Sequence, residues 1–174
     1  VDLTAFGAMP DSGKAVIAGR VSDQTFRYSS YVGSTVVTAQ GLNTAYPVKY
    51  RDPFGNLVDS ASTWGNGRYY VLNVSPFDTV TLTAAKANWT FSPRTFSAHG
   101  HANAYSQGRI YGTAPGYDAS VSGSVKALSS GAAISGANLV LNGDPGKSTI
   151  SGTDGSYTMS GLPKDAQFYM KVTA

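Results

Sequence analysis

The sequence predicts an all-β chain built of two tandem antiparallel β-sandwiches. Three observations predict it. Apolar residues alternate with period two along much of the chain, and helical periodicity is missing almost everywhere. The alternating runs are short and bounded by Gly, Pro, Asn and Asp, which favour turns. The chain also repeats itself, so one unit is present in two copies.

The first stretch, "VDLTAFGAM" (Val1 to Met9), has no counterpart in the second copy. Val1, Leu3, Ala5 and Met9 fall on one face at period two, so residues 1–14 read as an N-terminal segment and a candidate donor strand. The first sandwich is expected over residues 15–114. It opens on "IAGRV" (Ile17 to Val21) and continues with "VGSTVVTAQG" (Val32 to Gly41). A long excursion follows, read as an insertion near residues 42–65. "NGRYYVLNVSPFDTVTLTAAK" (Asn66 to Lys86) then gives two strands, the second with Val80, Leu82 and Ala84 on one face. "WTFSPRTF" and "AYSQGRIYG" supply closing strands, and "TAPGYDA" (Thr113 to Ala119) is a short junction that restricts the orientation of the two units.

The second sandwich is expected over residues 117–174. "VSGSV" (Val121 to Val125) matches "IAGRV". "SGANLVLNGD" (Ser135 to Asp144) matches Val32 to Gly41, with Gly33 on Gly136 and Val36 on Leu139. "DGSYTMSGLPKDAQFYMKVTA" (Asp154 to Ala174) aligns without a gap on Asn66 to Lys86, placing Tyr69 on Tyr157, Val74 on Leu162, and Val80 and Leu82 on Phe168 and Met170. The last run, "QFYMKVT", is expected to be one strand with Phe168, Met170 and Val172 inward. The closing strands of the first copy have no counterpart in the second, so an edge and a core are expected to stand open there. The chain is then a piece of a longer repeat protein, or closing residues lie outside this sequence, or another subunit supplies a strand.

The second copy resembles the carboxypeptidase regulatory-like family, whose fold is prealbumin-like (transthyretin-like). The resemblance rests on Ser122-Gly123-x-Val125, Gly136, Leu139, Leu141, Thr153-Asp154-Gly155-x-Tyr157 and Gly161-Leu162-Pro163. Thr153-Asp154-Gly155 is one residue tighter than the commonest form of the motif. "NWTFSPRTF" (Asn88 to Phe96) resembles the finish of bacterial repeats of that family. The resemblance implies a non-catalytic module of a larger secreted or surface protein. It says little about a specific function.

Composition narrows the function further. Charged residues are only 13% of the chain, all ten acids are Asp, there is no Cys, and the net charge is +3. A Ser-, Thr-, Asn-, Gly- and Tyr-rich surface suits an extracellular or cell-surface protein. No basic run provides an electrostatic footprint for nucleic acid. No apolar stretch approaches the ~20 residues of a membrane helix. No nucleophile elbow, P-loop or dinucleotide fingerprint is present, so no catalytic residue and no cofactor are expected. A Lys–Asn isopeptide cross-link normally uses a buried Glu, which this chain lacks.

Other candidates are read as turns first. Asp154 sits where an Asx turn is expected, with Asn66 in its place in the first copy. Asp52, Asn56 and Asp59 are weak candidates for a calcium site, and a Pro-Phe-Gly-Asn turn accounts for the same residues. Asp144-Pro145-Gly146 likewise reads as a turn. His99 and His101 would point the same way on a strand but lack a marked third metal ligand. Asn88-Trp89-Thr90 is a glycosylation sequon and Asn73-Val74-Ser75 a weaker one. Trp64, Tyr70 and Trp89 are candidates for stacking on sugar rings, in a carbohydrate-binding alternative. The leading expectation is a structural or assembly protein, a filament subunit that associates with itself or with other surface proteins. Its partner-binding residues would be Val1, Leu3, Ala5 and Met9 of one subunit and Phe168, Met170 and Val172 of the next.

Overall fold

The computed structural model of the chain describes residues 11–26, 30–97, 105–142 and 144–174. Val1, Leu3, Ala5, Met9, His99 and His101, for which the sequence raises expectations, lie outside these residues. The strands are β1 (Ala15–Asp23), β2 (Ser30–Tyr31), β3 (Val36–Gln40), β4 (Ala45–Tyr46), β5 (Val48–Arg51), β6 (Leu57–Val58), β7 (Arg68–Val74), β8 (Thr79–Ala85), β9 (Thr90–Phe91), β10 (Arg94–Ser97), β11 (Tyr105–Thr113), β12 (Ala119–Ser124), β13 (Asn138–Leu141), β14 (Asp144–Ile150), β15 (Ser156–Leu162), β16 (Gln167–Phe168) and β17 (Met170–Thr173). No helix occurs among the described residues, and the protein is all-β.

In the N-terminal half, one sheet runs β9–β11–β1–β7–β5–β6 and the other β10–β8–β3–β4. Their inner faces bury Ile17, Val21, Tyr69, Val71, Val80, Leu82 and Ile110. Alternation puts these residues inward, as in β3, where Val37 and Ala39 are buried between exposed neighbours. The stretch read as an insertion supplies β4 to one sheet and β5 and β6 to the other. Its Tyr46 and Tyr50 belong to the core. Tyr50 Oη accepts a hydrogen bond from the Val37 amide at 2.9 Å, which ties β5 in the first sheet to β3 in the second.

The C-terminal half pairs β12 with β15 and, separately, β14–β13–β17. Leu141, Met159 and Leu162 form its core together with Phe26, which comes from the N-terminal half. The halves are also joined by backbone and side chains. β16 pairs with β2, Tyr117 Oη donates to Asp23 Oδ2 at 3.1 Å, and Lys86 Nζ donates to the Asp165 carbonyl at 2.7 Å.

The internal repeat is visible in the hydrogen bonds. The Val21 amide donates to the Gly67 carbonyl, and the Val125 amide to the Gly155 carbonyl. The Ser34 and Thr63 amides donate to the Thr63 and Thr35 carbonyls, just as the Gly136 and Ser151 amides donate to the Ser151 and Ala137 carbonyls. This second set corrects one alignment. Val37, not Val36, is the counterpart of Leu139: Val37 pairs with Ala84 as Leu139 pairs with Val172. A slip of one residue turns a strand inside out, and Val36 indeed points outward, 44% exposed.

Three further expectations are corrected. The sandwich is not wholly antiparallel, because β11 runs parallel to β1. β10 belongs to the opposite sheet, so the chain crosses between sheets before β11 and can return in the direction of β1. The run "QFYMKVT" is not one strand. It breaks at Tyr169, because β16 is drawn to β2 of the N-terminal half while β17 pairs with β13. Asp144-Pro145-Gly146 does not form a turn but begins β14, with Asp144 opposite Leu141.

Candidate functional site

The C-terminal half carries the most distinctive local feature, a pair of half-paired strands. In the N-terminal half, β1 is flanked by β7 and β11, and β8 by β3 and β10. Their counterparts differ. Among the described residues, β12 pairs only with β15, and β17 only with β13. Each therefore presents backbone N–H and C=O groups along one side.

The core beneath reflects this. Val80 and Leu82 are fully buried, whereas Phe168 and Met170 are only half-buried. Val172 lies opposite the buried Leu139, so it is on the inner face, yet it is 47% exposed. The inward set Phe168, Met170 and Val172 thus lines an apolar face whose last member is open to solvent.

One tyrosine–glycine arrangement shows how the matching place is filled in the N-terminal half. Gly19 lies opposite Tyr69 on one side and Gly108 of β11 on the other. Tyr69 passes over Gly19, and its hydroxyl donates to the Gly108 carbonyl at 2.9 Å. A methyl group at Gly19 would stand 1.4 Å from that carbonyl oxygen, so only glycine fits. Burial pushes the Tyr69 hydroxyl far above the ordinary tyrosine range, with the positive charge of Arg94 opposing weakly. In the C-terminal half Gly123 lies opposite Tyr157, and the Tyr157 hydroxyl again sits over the glycine, 2.8 Å from where a methyl would be. Among the described residues no carbonyl receives that hydroxyl.

The sugar-stacking candidates are dispersed. Trp64 is 44% exposed in the turn closed by the Gly67 amide. Tyr70 is buried on the outer face of the first sheet, against Val16, Ala18 and Leu72. Trp89 is buried and stacked on Phe91 at 6.1 Å. Two buried rings do not offer a sugar a free face, because folding has already spent those faces on packing.

The weak metal candidates do not converge either. Asp52 Oδ1 accepts the Asn56 amide at 2.8 Å and Oδ2 accepts Asn56 Nδ2 at 3.0 Å, while Asp59 pairs with Lys49 at 2.7 Å. Among the described residues no three His, Cys, Asp or Glu side chains come together in a way that could hold a metal. Asp154 makes an Asx turn, accepting the Ser156 amide at 2.9 Å, as Asn66 accepts the Arg68 amide at 2.9 Å. The Ser156 hydroxyl, donating to Asp154 Oδ1 at 2.6 Å, and then the Ser156 amide hold the Asp154 carboxyl below its usual range. Asn73 and Asn88, the sequon residues, both adopt positive φ.

No family model and no curated protein matches the chain. Among solved structures, a streptococcal ancillary pilin is 16% identical with a TM-score of 0.38, over 88% of this chain and 51% of that one. The Bacillus anthracis TIE protein is 13% identical with a TM-score of 0.38, over 92% of this chain and 28% of that one. The chain thus spans about half of the pilin and less than a third of the TIE protein. So loose a likeness carries no argument about function, and the architecture rests on the strand pairing itself.

Proposed function

We propose that the protein is a non-catalytic structural protein of the cell exterior whose copies join by β-strand addition to the C-terminal half. In this reading it comprises two carboxypeptidase regulatory-like modules, residues 15–114 and 117–174, preceded by a donor segment. The observation that carries the reading is the Tyr157 hydroxyl over Gly123, received by no carbonyl among the described residues, beside a β12 edge whose counterpart β1 is covered by β11.

The N-terminal segment has the pattern such a place requires. The inward residues of β11 are Ser106, Gly108 and Ile110, and Ser106 faces Ile17 while Gly108 faces Gly19. Ala5, Gly7 and Met9 repeat the order small, glycine, aliphatic at the same spacing. Laid beside β12 of the next copy, Gly7 would meet Gly123, the Gly7 carbonyl would receive the Tyr157 hydroxyl, and Met9 would cover the core. Ala5 would be tolerated where a larger residue would not. Pro10, which lacks an N–H, ends the pairing. Head-to-tail contacts of this kind do not close and so grow filaments.

The full chain is therefore expected to form concentration-dependent oligomers by light scattering and fibres by electron microscopy. Deleting Val1 to Pro10 leaves monomers, and adding back a peptide of residues 1–10 caps the wild-type oligomers. Fibres from the shortened chain would refute donation by this segment. A wild-type chain that stays monomeric at high concentration would refute assembly itself.

A further inference from the structure

Strand register places three guanidinium groups in a row on the outer face of the first sheet. Arg68 of β7 lies opposite Arg20 of β1, and Arg20 lies opposite Arg109 of β11. They point outward because the adjacent cross-strand row, Tyr69, Gly19 and Gly108, faces the core. Like charges directly opposite each other weaken a sheet, so the row carries an electrostatic cost to the fold. Burial holds the Arg20 guanidinium below its ordinary range; Arg68 and Arg109 act in the same sense, while Tyr31 and Tyr169 oppose.

The next outward row is Tyr70, Ala18 and Gln107. Small Ala18 between two larger side chains leaves a depression. With the three arginines and Tyr105 it forms a hollow of about 330 Å³. A second hollow of about 260 Å³ shares Arg20 and Arg68 with it and runs on past Arg51, Asn66 and Tyr169 to Phe54. Because they share two arginines, the hollows adjoin, and together they make up an elongated trough on this face. Phe54 is 91% exposed there, and Tyr169 stacks edge-on against Tyr31, over which Arg20 sits at 4.4 Å. Among the described residues the one acid lining the trough is Asp52, whose oxygens accept hydrogen bonds from Asn56.

We propose that this trough binds an acidic polysaccharide, with oxyanion groups of the glycan on Arg68, Arg20 and Arg109 and sugar rings against Tyr105 and Tyr169. A guanidinium fork matches a carboxylate or a sulfate with two parallel hydrogen bonds. Neighbouring strands lie about 4.8 Å apart, so the row presents charge at a regular interval, which suits a polymer of repeating charge better than a single small anion. The trough is open and elongated, and its partly exposed tyrosines combine a flat apolar face with a hydrogen-bonding tip. Carboxylate and sulfate are the two sources of that chemistry. The site does not depend on strand exchange, because its three arginines lie on β7, β1 and β11, which pair with one another within the chain.

The test titrates the full chain at low salt with polygalacturonate, heparin, uncharged dextran and single-stranded DNA by isothermal calorimetry. The expected result is binding to polygalacturonate or heparin that weakens with added salt, with dextran inert; whichever of the two binds tighter names the oxyanion. Arg68→Gln and Arg109→Gln should each weaken that binding about tenfold or more, while Lys147→Gln on the other half leaves it unchanged. Unaltered circular dichroism and thermal midpoints show that the variants fold. Equal binding by both arginine variants, equal binding to dextran, no binding to either acidic glycan, or tighter binding to DNA would each overturn the proposal.

Discussion

Leu82 and Met170 hold the same place in the two halves, one opposite Ala39 and the other opposite Leu141. Leu82 is fully buried on a strand flanked on both sides, while Met170 lies half-buried on a strand with one neighbour among the described residues. The two halves share turns, registers and tyrosine–glycine contacts. Among the described residues they differ in whether strands like β10 and β11 lie alongside. The contrast teaches that inward alternation selects a face, but burial also needs the strand next door.

Truncations at this pair give the largest contrast. Leu82→Ala should lower stability by about 2–5 kcal/mol, the usual cost of a buried leucine. Met170→Ala should cost about 1 kcal/mol or less in the monomer, since less surface is buried there. Urea denaturation midpoints check both. Equal losses would mean that the core under β17 is already closed.

The glycines come next. Gly19→Ala drives a methyl into the Gly108 carbonyl and should cost about 3 kcal/mol, because backbone must move to admit it. Gly123→Ala meets the Tyr157 ring and hydroxyl, not a backbone strand, so the monomer should unfold within about 1 kcal/mol of wild type while oligomers are lost. Thermal melts paired with light scattering separate the two effects.

A smaller effect is expected at the tyrosines. Tyr69→Phe leaves the Gly108 carbonyl without its donor and should cost about 1–3 kcal/mol. Tyr157→Phe should leave monomer stability unchanged and weaken assembly, as followed by chemical denaturation and sedimentation.

The smallest contrast is in pH. The folded-state pKa of Tyr69 is raised by burial, so folding favours its neutral form. That contribution is complete below the unfolded tyrosine value of about 10 and declines as pH rises above it. Wild type should lose stability above about pH 10 more steeply than Tyr69→Phe in pH-dependent melts. Parallel curves would show that Tyr69 titrates as freely as an exposed tyrosine.

Much of this was legible in the sequence. Period-two alternation marked Val80 and Leu82, and the Asn66-Gly67 and Asp154-Gly155 turns anchored the repeat. The slip at Val36 has a physical cause. The chain needs a positive φ before β3, and Ser34 supplies it at 52° where Gly136 supplies it at 74°. Aligning glycine on glycine therefore misplaced the strand by one residue, and a Val-Val pair offered no warning. The break at Tyr169 depends on β2, far away in sequence, and no local pattern announces it. The arginine row is invisible for the same reason: Arg20, Arg68 and Arg109 are brought together only by strand order. Trp89 and Tyr70 looked like free aromatics because sequence does not say which rings the fold itself consumes.

Amide hydrogen exchange of β12 as a function of protein concentration tests the central claim most directly. β1, paired on both sides, should be protected at every concentration. The Val121 and Gly123 region of β12 should exchange quickly in dilute monomer and become protected as the chain assembles. Protection of β12 that is already complete in dilute monomer, or that never appears in assembled material, would contradict the account.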